Sequence, residues 1–138
     1  MIAAQALVAA SAAILLILGT LHLVYTFRGP LLTPRDPAVQ AAMRQVPMVI
    51  TRQTTMWKAW IGFNASHGMG AILFALVYGY LALAHAELLF RSPVLLLIGL
   101  AMLGAYVVVA RLYWFSIPFR STCVALVCYL AGVLLSRY

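Results

Sequence analysis

Acidic side chains are the scarcest in this 138-residue chain, which contains only Asp36 and Glu87. Both lie between the long apolar runs, so no pair of carboxylates is available inside one of those runs. Carboxylate-pair catalysis, a di-iron centre and a carboxylate proton relay each need acidic residues placed together, and none of them is expected here. We therefore predict no catalytic residue.

Cysteine is equally scarce. Cys123 and Cys128 lie in the last apolar run, and a five-residue spacing turns their side chains about 140° apart on a helix. Such a pair is poorly placed for a disulfide within one helix. A zinc site needs four ligands. The two neighbouring histidines supply only two, and the cysteines are too few and wrongly placed to complete the set, so we predict no metal site.

Charge of either sign is rare as well, since 8% of residues are charged and 66% are hydrophobic. Soluble domains average about 25% charged residues, which they need to cover a surface that faces water. The composition therefore predicts an integral membrane protein. The net charge of +7 does not indicate nucleic-acid binding, because the cations flank apolar runs instead of clustering on a polar face.

Four apolar runs are long enough to cross a bilayer, which takes about 20 residues. The predicted fold is an all-α four-helix bundle that forms one membrane domain over residues 1–138. The N-terminal run is interpreted as a retained span instead of a signal peptide, and Ser116–Ile117–Pro118 as a turn before the last span. The predicted spans cover approximately residues 4–26, 59–84, 93–114 and 118–136.

The longest connection, residues 28–55, contains one clear helix signal. Asp36 followed by Pro37 is typical of an N-cap and a first helical position. We predict a short helix from Pro37 to about Val46 that lies on the membrane interface and ends at Pro47. The aromatic pairs Trp57/Trp60 and Tyr78/Tyr80 stand near the two ends of the second span, as in an interfacial aromatic belt.

The cations are distributed unevenly between the two sides of the predicted bundle. The positive-inside rule places the more basic connections in the cytoplasm, here the 1–2 and 3–4 loops, and both termini outside. The expected location is a bacterial cytoplasmic membrane. Besides setting orientation, the basic rim could hold anionic lipid headgroups through Arg28, Arg35, Arg44, Arg52, Lys58 and Arg120.

Two histidines are the most informative polar residues inside the spans. His22 lies near the end of the first span and His67 near the start of the second, so antiparallel helices bring the imidazoles to similar depth. Ionisable groups in a membrane indicate a functional site, although they also serve as hydrogen-bonding contacts between helices. The predicted pocket around the two histidines contains Tyr25, Trp60, Asn64, Tyr106 and Arg111.

Small residues at four-residue spacing predict close helix packing, within the chain, in a homo-oligomer or in a larger membrane complex. The clearest steps are Gly62/Ser66/Gly70 and Cys128/Gly132/Ser136. The first step is offset from the His67 face of the same helix by roughly 110°.

Three functional hypotheses follow. The first is a non-enzymatic binding or accessory subunit with a polar pocket near the cytoplasmic side. The second is a redox protein that holds haem b between His22 and His67, since paired histidines on facing helices are common axial ligands. The third is a small transporter or lipid-handling protein that uses the basic rim.

Overall fold

The computed structural model describes residues 1–137 and is predominantly helical. Four helices, α1, α3, α5 and α6 in the numbering below, are long and apolar enough to cross a membrane. Even the shortest of them, with 20 residues, rises about 30 Å, the thickness of the bilayer hydrocarbon. This confirms the all-α fold with four spans. The elements are α1 (Ile2–Phe27), α2 (Pro37–Gln45), β1 (Pro47–Met48), β2 (Thr51–Thr55), α3 (Met56–Ala84), α4 (Ala86–Arg91), α5 (Pro93–Tyr113) and α6 (Ser116–Leu135).

Helix α2 begins where the sequence predicted. The Asp36 carboxylate accepts a hydrogen bond of 2.8 Å from the backbone N–H of Ala38, and Pro37 occupies a first-turn position where its missing N–H is not needed. The helix ends at Gln45, just before Pro47. The predicted start and stop signals are therefore confirmed, while the contact of α2 with the membrane surface stays a prediction.

Two short elements were not predicted. After α2 the chain forms an antiparallel hairpin in which Pro47 is paired with Thr55 and Met48 with Thr51. The segment after α3, interpreted as a loop, contains the short helix α4, where Glu87 and Arg91 form an ion pair of 2.9 Å at i,i+4 spacing. Both elements are too short to produce a periodic pattern in the sequence.

The predicted turn at Ser116–Ile117–Pro118 is wrong. These residues form the first turn of α6, whose N-cap is Phe115. Pro118 is tolerated there because the first N–H groups of a helix have no partner inside the helix. The early start makes α6 longer than the uncharged stretch of residues 121–136.

The chain divides into two compact units, and the first combines Met1–Leu18 with the chain from Ala71 onward. Its hydrophobic core includes residues of all four long helices, among them Val8, Ala75, Leu103 and Ala125. Close packing also occurs at the predicted Cys128/Gly132/Ser136 step, since a Cβ added at Gly132 would lie 2.9 Å from the carbonyl oxygen of Ala4.

Two buried tyrosines enclose Gly99 in the same unit. The hydroxyl of Tyr78 donates to the carbonyl of Leu95 at 2.7 Å, and that of Tyr129 donates to the carbonyl of Leu96 at 2.9 Å. A Cβ added at Gly99 would lie 2.6 Å from Cζ of Tyr129 and 2.7 Å from Cε1 of Tyr78. Tyr78 is therefore a core residue, and its assignment to an interfacial aromatic belt is wrong.

The second unit, Gly19–Gly70, contains the end of α1, the connection with α2 and the hairpin, and the start of α3. The two helices approach closely at buried Gly68, where an added Cβ would lie 3.1 Å from the carbonyl oxygen of Gly19 and 3.3 Å from the amide nitrogen of Leu23. Gly62 and Ser66 are exposed. Within this unit the close approach therefore occurs beside His67 and not at Gly62/Ser66. Packing of Gly62/Ser66 against another copy or another subunit stays a prediction.

Candidate functional site

Three polar side chains of the second unit come together where α1 and α3 pack. The ring centroids of His22 and His67 are 4.9 Å apart, with an edge-to-face angle of 75°. Nε2 of His22 lies 3.0 Å from Oδ1 of Asn64. We call His22, Asn64 and His67 the histidine cluster. The sequence predicted that the two imidazoles share a depth, and here the rings lie side by side.

The direction of hydrogen bonding in the cluster follows from Asn64. Its Nδ2 donates to the backbone carbonyl of Trp60 at 2.8 Å, which identifies the opposite atom as Oδ1. That oxygen can only accept, so Nε2 of His22 must carry the proton and donate it. The hydroxyl of Thr26 donates to the carbonyl of His22 at 2.7 Å. The polar groups of Asn64 thus couple the two helices without any charged residue.

The arrangement does not fit axial ligation of haem. A bis-histidine haem needs two ring nitrogens that point at a common iron, with the macrocycle between the rings. The rings of His22 and His67 are instead in edge-to-face contact at 4.9 Å, and the Nε2 proton of His22 is donated to Asn64. For other metal ions, no three His, Cys, Asp or Glu side chains lie together in residues 1–137 in a way that could hold the ion.

A cavity of about 350 Å³ lies between the histidine cluster and the 28–55 connection. Thr26 and Ile61, each within about one helical turn of a cluster residue, form part of its wall. The rest of the wall comes from neighbouring residues of α1 and α3, from the connection and from α2. We call this space the loop-side cavity, and its lining residues are Tyr25, Thr26, Phe27, Gly29, Leu32, Thr33, Gln40, Arg44, Trp57 and Ile61.

Arg44 is the single cation among these lining residues. Its guanidinium carbon lies 4.9 Å from the centroid of the Trp57 ring, a cation–π contact worth about 0.5–1 kcal/mol at an exposed site. Gln40, one turn earlier on α2, lines the same cavity. The Arg44 guanidinium forms no ion pair within residues 1–137, so its N–H donors can bind an anion.

The predicted pocket residues divide between the two units. Tyr25 lines the loop-side cavity, and the indole Nε1 of Trp60 donates to the carbonyl of Leu32 at 2.9 Å, so both lie around it. Tyr106 is buried and packs against Trp114, with ring centroids 6.3 Å apart. Arg111 is exposed, and its guanidinium carbon lies 5.8 Å from the ring of Phe119. Tyr106 and Arg111 belong to the first unit, and their part in the site stays a prediction.

The predicted headgroup cations are all exposed, but one of them differs from the others. Arg44 lines the loop-side cavity, whereas the other five do not. A role for those five in contacting lipid remains a prediction; they are Arg28, Arg35, Arg52, Lys58 and Arg120.

Sequence reasoning missed most of the cavity wall. Leu32, Thr33 and Gly29 belong to a connection without periodicity, so nothing in the sequence places them beside α3. Gln40 could have been found, because it lies one turn before Arg44 on the face of a predicted helix.

A second, wider depression of about 950 Å³ belongs to the first unit and is lined by residues such as Gln5, His85 and Ser136. Its two opposite charges, Glu87 and Arg91, are paired with each other at 2.9 Å. It therefore offers a ligand no uncompensated charge from that pair.

Comparison with known proteins adds no assignment to this geometry. The chain matches no family model, and neither curated proteins nor solved structures gave a match to it.

Proposed function

We propose that this membrane protein is a non-enzymatic binding protein, alone or as an accessory subunit, that holds one amphipathic molecule in the loop-side cavity. The cavity is the observation that carries the proposal. Its volume of about 350 Å³ lies at the lower end of the range of small-molecule sites, about 300–1,000 Å³. It therefore suits the polar end of a molecule together with a short part of its apolar chain.

The lining supports an amphipathic ligand. Phe27, Leu32 and Ile61 offer apolar surface, while Gln40 and Arg44 offer hydrogen-bond donors on one wall. Ligand sites commonly combine mostly apolar walls with a few polar groups that fix orientation. The histidine cluster lies on the far side of Thr26 and Ile61, where it holds the end of α1 against the start of α3.

The proposed orientation places this cavity at the cytoplasmic surface of the membrane. Seven of the nine cations lie in or beside the 1–2 and 3–4 connections, and such a bias normally marks the cytoplasmic side. Labelling of single cysteines introduced at exposed Arg35 and Arg91, in a variant whose Cys123 and Cys128 are replaced by serine, checks this proposal. In intact cells, a membrane-impermeant thiol reagent should label Arg91→Cys and not Arg35→Cys. Labelling of Arg35→Cys without labelling of Arg91→Cys contradicts the proposed orientation.

Tryptophan fluorescence tests binding, because two of the three tryptophans, Trp57 and Trp60, lie at the cavity and the third can be removed as Trp114→Phe. The probe is 5-doxyl-stearate, whose nitroxide quenches nearby indoles, added to purified protein in detergent micelles at pH 9. We expect the probe to quench the fluorescence of Trp57 and Trp60 saturably.

The matched variants separate binding in the cavity from simple partition of the probe into the micelle. Thr33→Phe adds bulk to the cavity wall and should weaken the saturable component at least several-fold. Thr20→Phe adds the same bulk at an exposed position of α1 outside the cavity and should leave it unchanged. Quenching that rises linearly with probe and is equal in both variants contradicts the proposal.

A further inference from the structure

The loop-side cavity contains a cation without a protein counter-ion. The ion pair Glu87–Arg91 is the one salt bridge found within residues 1–137, so Arg44 has no carboxylate partner there. No acidic residue lines the cavity, and the nearest acid in sequence, Asp36, is engaged as the N-cap of α2. The charge of Arg44 is therefore available to a ligand.

The geometry points to an anionic ligand, and we infer that the loop-side cavity selects amphiphiles whose polar end carries a single carboxylate or phosphate. This inference rests on the proposed function and names the chemical class of its ligand. A guanidinium can donate two parallel hydrogen bonds to a carboxylate or phosphate. The Arg44 guanidinium carbon lies 4.9 Å from the centroid of the Trp57 ring, and the group forms no ion pair with a carboxylate in residues 1–137.

The neighbouring groups favour one anionic head over a larger charge. Gln40 lies one helical turn before Arg44 and can donate through its amide, while Thr33 has already donated its hydroxyl proton to the carbonyl of Pro30 at 2.7 Å. A single guanidinium balances about one negative charge. The apolar part of the ligand would then lie along Phe27, Leu32 and Ile61, which line the same cavity.

A matched pair of probes tests this inference separately from binding itself. In the Trp114→Phe background at pH 9, 5-doxyl-stearate is compared with its uncharged methyl ester, which has the same chain and nitroxide. We expect the carboxylate to bind about tenfold more tightly, the effect of one charge-assisted hydrogen bond. Arg44→Gln should abolish the preference while retaining the affinity for the ester.

Arg137→Gln is the matched control, because it removes the same charge at an exposed position outside the cavity. It should keep the tenfold preference. Equal saturable binding of both probes to the parent overturns the inference but leaves the proposed function standing. Saturable binding of neither probe overturns the proposed function as well.

Competition distinguishes the source of the anion. Phosphatidylglycerol added to the micelles should displace the carboxylate probe from the parent at a lower concentration than it displaces the residual binding to Arg44→Gln, where only apolar contacts remain. Inorganic phosphate at the same concentration should displace little, because it lacks an apolar chain for Ile61 and Leu32. Displacement by inorganic phosphate as strong as by the lipid overturns the requirement for an amphiphile.

Discussion

Replacing Gly68 with alanine should force apart the two helices that carry the histidine cluster. An added Cβ would lie 3.1 Å from the carbonyl oxygen of Gly19, 3.3 Å from the amide nitrogen of Leu23 and 3.4 Å from its Cβ. Two of these atoms belong to the backbone of α1, so no side-chain rotation can relieve the contact. Overpacking of this kind costs about 1–3 kcal/mol.

Gly62→Ala is the matched control on the same helix, because an added Cβ there meets no heavy atom within 4 Å among the described residues. Both variants share the gain in helix propensity of about 0.8–1 kcal/mol, so the difference between them isolates the contact with α1. Thermal unfolding in detergent should place Gly68→Ala roughly 4–12 °C below Gly62→Ala, using about 4 °C per kcal/mol for a chain of this size. Equal midpoints would refute the close packing at this point.

Two further substitutions address the two units separately. Gly99→Ala would bring a Cβ within 2.6 Å of Cζ of Tyr129 and should destabilise the protein by about 2–3 kcal/mol in thermal unfolding. Gly104→Ala, where an added Cβ meets nothing within 4 Å in the described part of the chain, should instead gain about 0.8–1 kcal/mol from helix propensity, and equal midpoints for the two count against the tyrosine packing. Asn64→Leu removes the acceptor of the His22 Nε2 proton and should cost about 0.6–1.7 kcal/mol, the range of polar contacts between membrane helices. An unchanged midpoint in Asn64→Leu would mean that this hydrogen bond does not stabilise the helix pair.

The elements that were predicted correctly are those with strong local signals. Four apolar runs specify spans because lipid requires about 20 apolar residues in each. The Asp36–Pro37 pair specifies the start of α2 because capping involves neighbouring residues only. The first turn of α6 was misassigned at Pro118, since the same residue suits a loop or a helix start, and its neighbours in sequence do not decide between them.

The candidate site was predicted in part for a similar reason. Depth and helical rotation relate His22 to His67 because both lie on regular helices that run in opposite directions. Small residues were less informative, because a small-residue step on α3 suits a neighbouring helix, another copy or lipid equally well. The predicted packing step contains the exposed Gly62, whereas the close contact with α1 occurs at the buried Gly68. The wall formed by Leu32 depends on a long-range hydrogen bond from Trp60, which has no sequence pattern.

The histidine cluster and Arg44 of the loop-side cavity differ in how far their polar groups are already paired within the protein. His22 donates to Asn64, and Asn64 donates to the carbonyl of Trp60, so this chain of groups is satisfied within the protein. Because charge is costly in hydrocarbon, hydrogen bonds between uncharged groups such as the His22–Asn64 pair are favoured inside a span. Arg44 differs, because it lines a cavity, lies within 4.9 Å of the Trp57 ring centroid and lacks a carboxylate partner in residues 1–137. Arg44 is therefore the group at which the proposed ligand would gain binding free energy, and in this proposal the histidine cluster supports the helices that form the cavity.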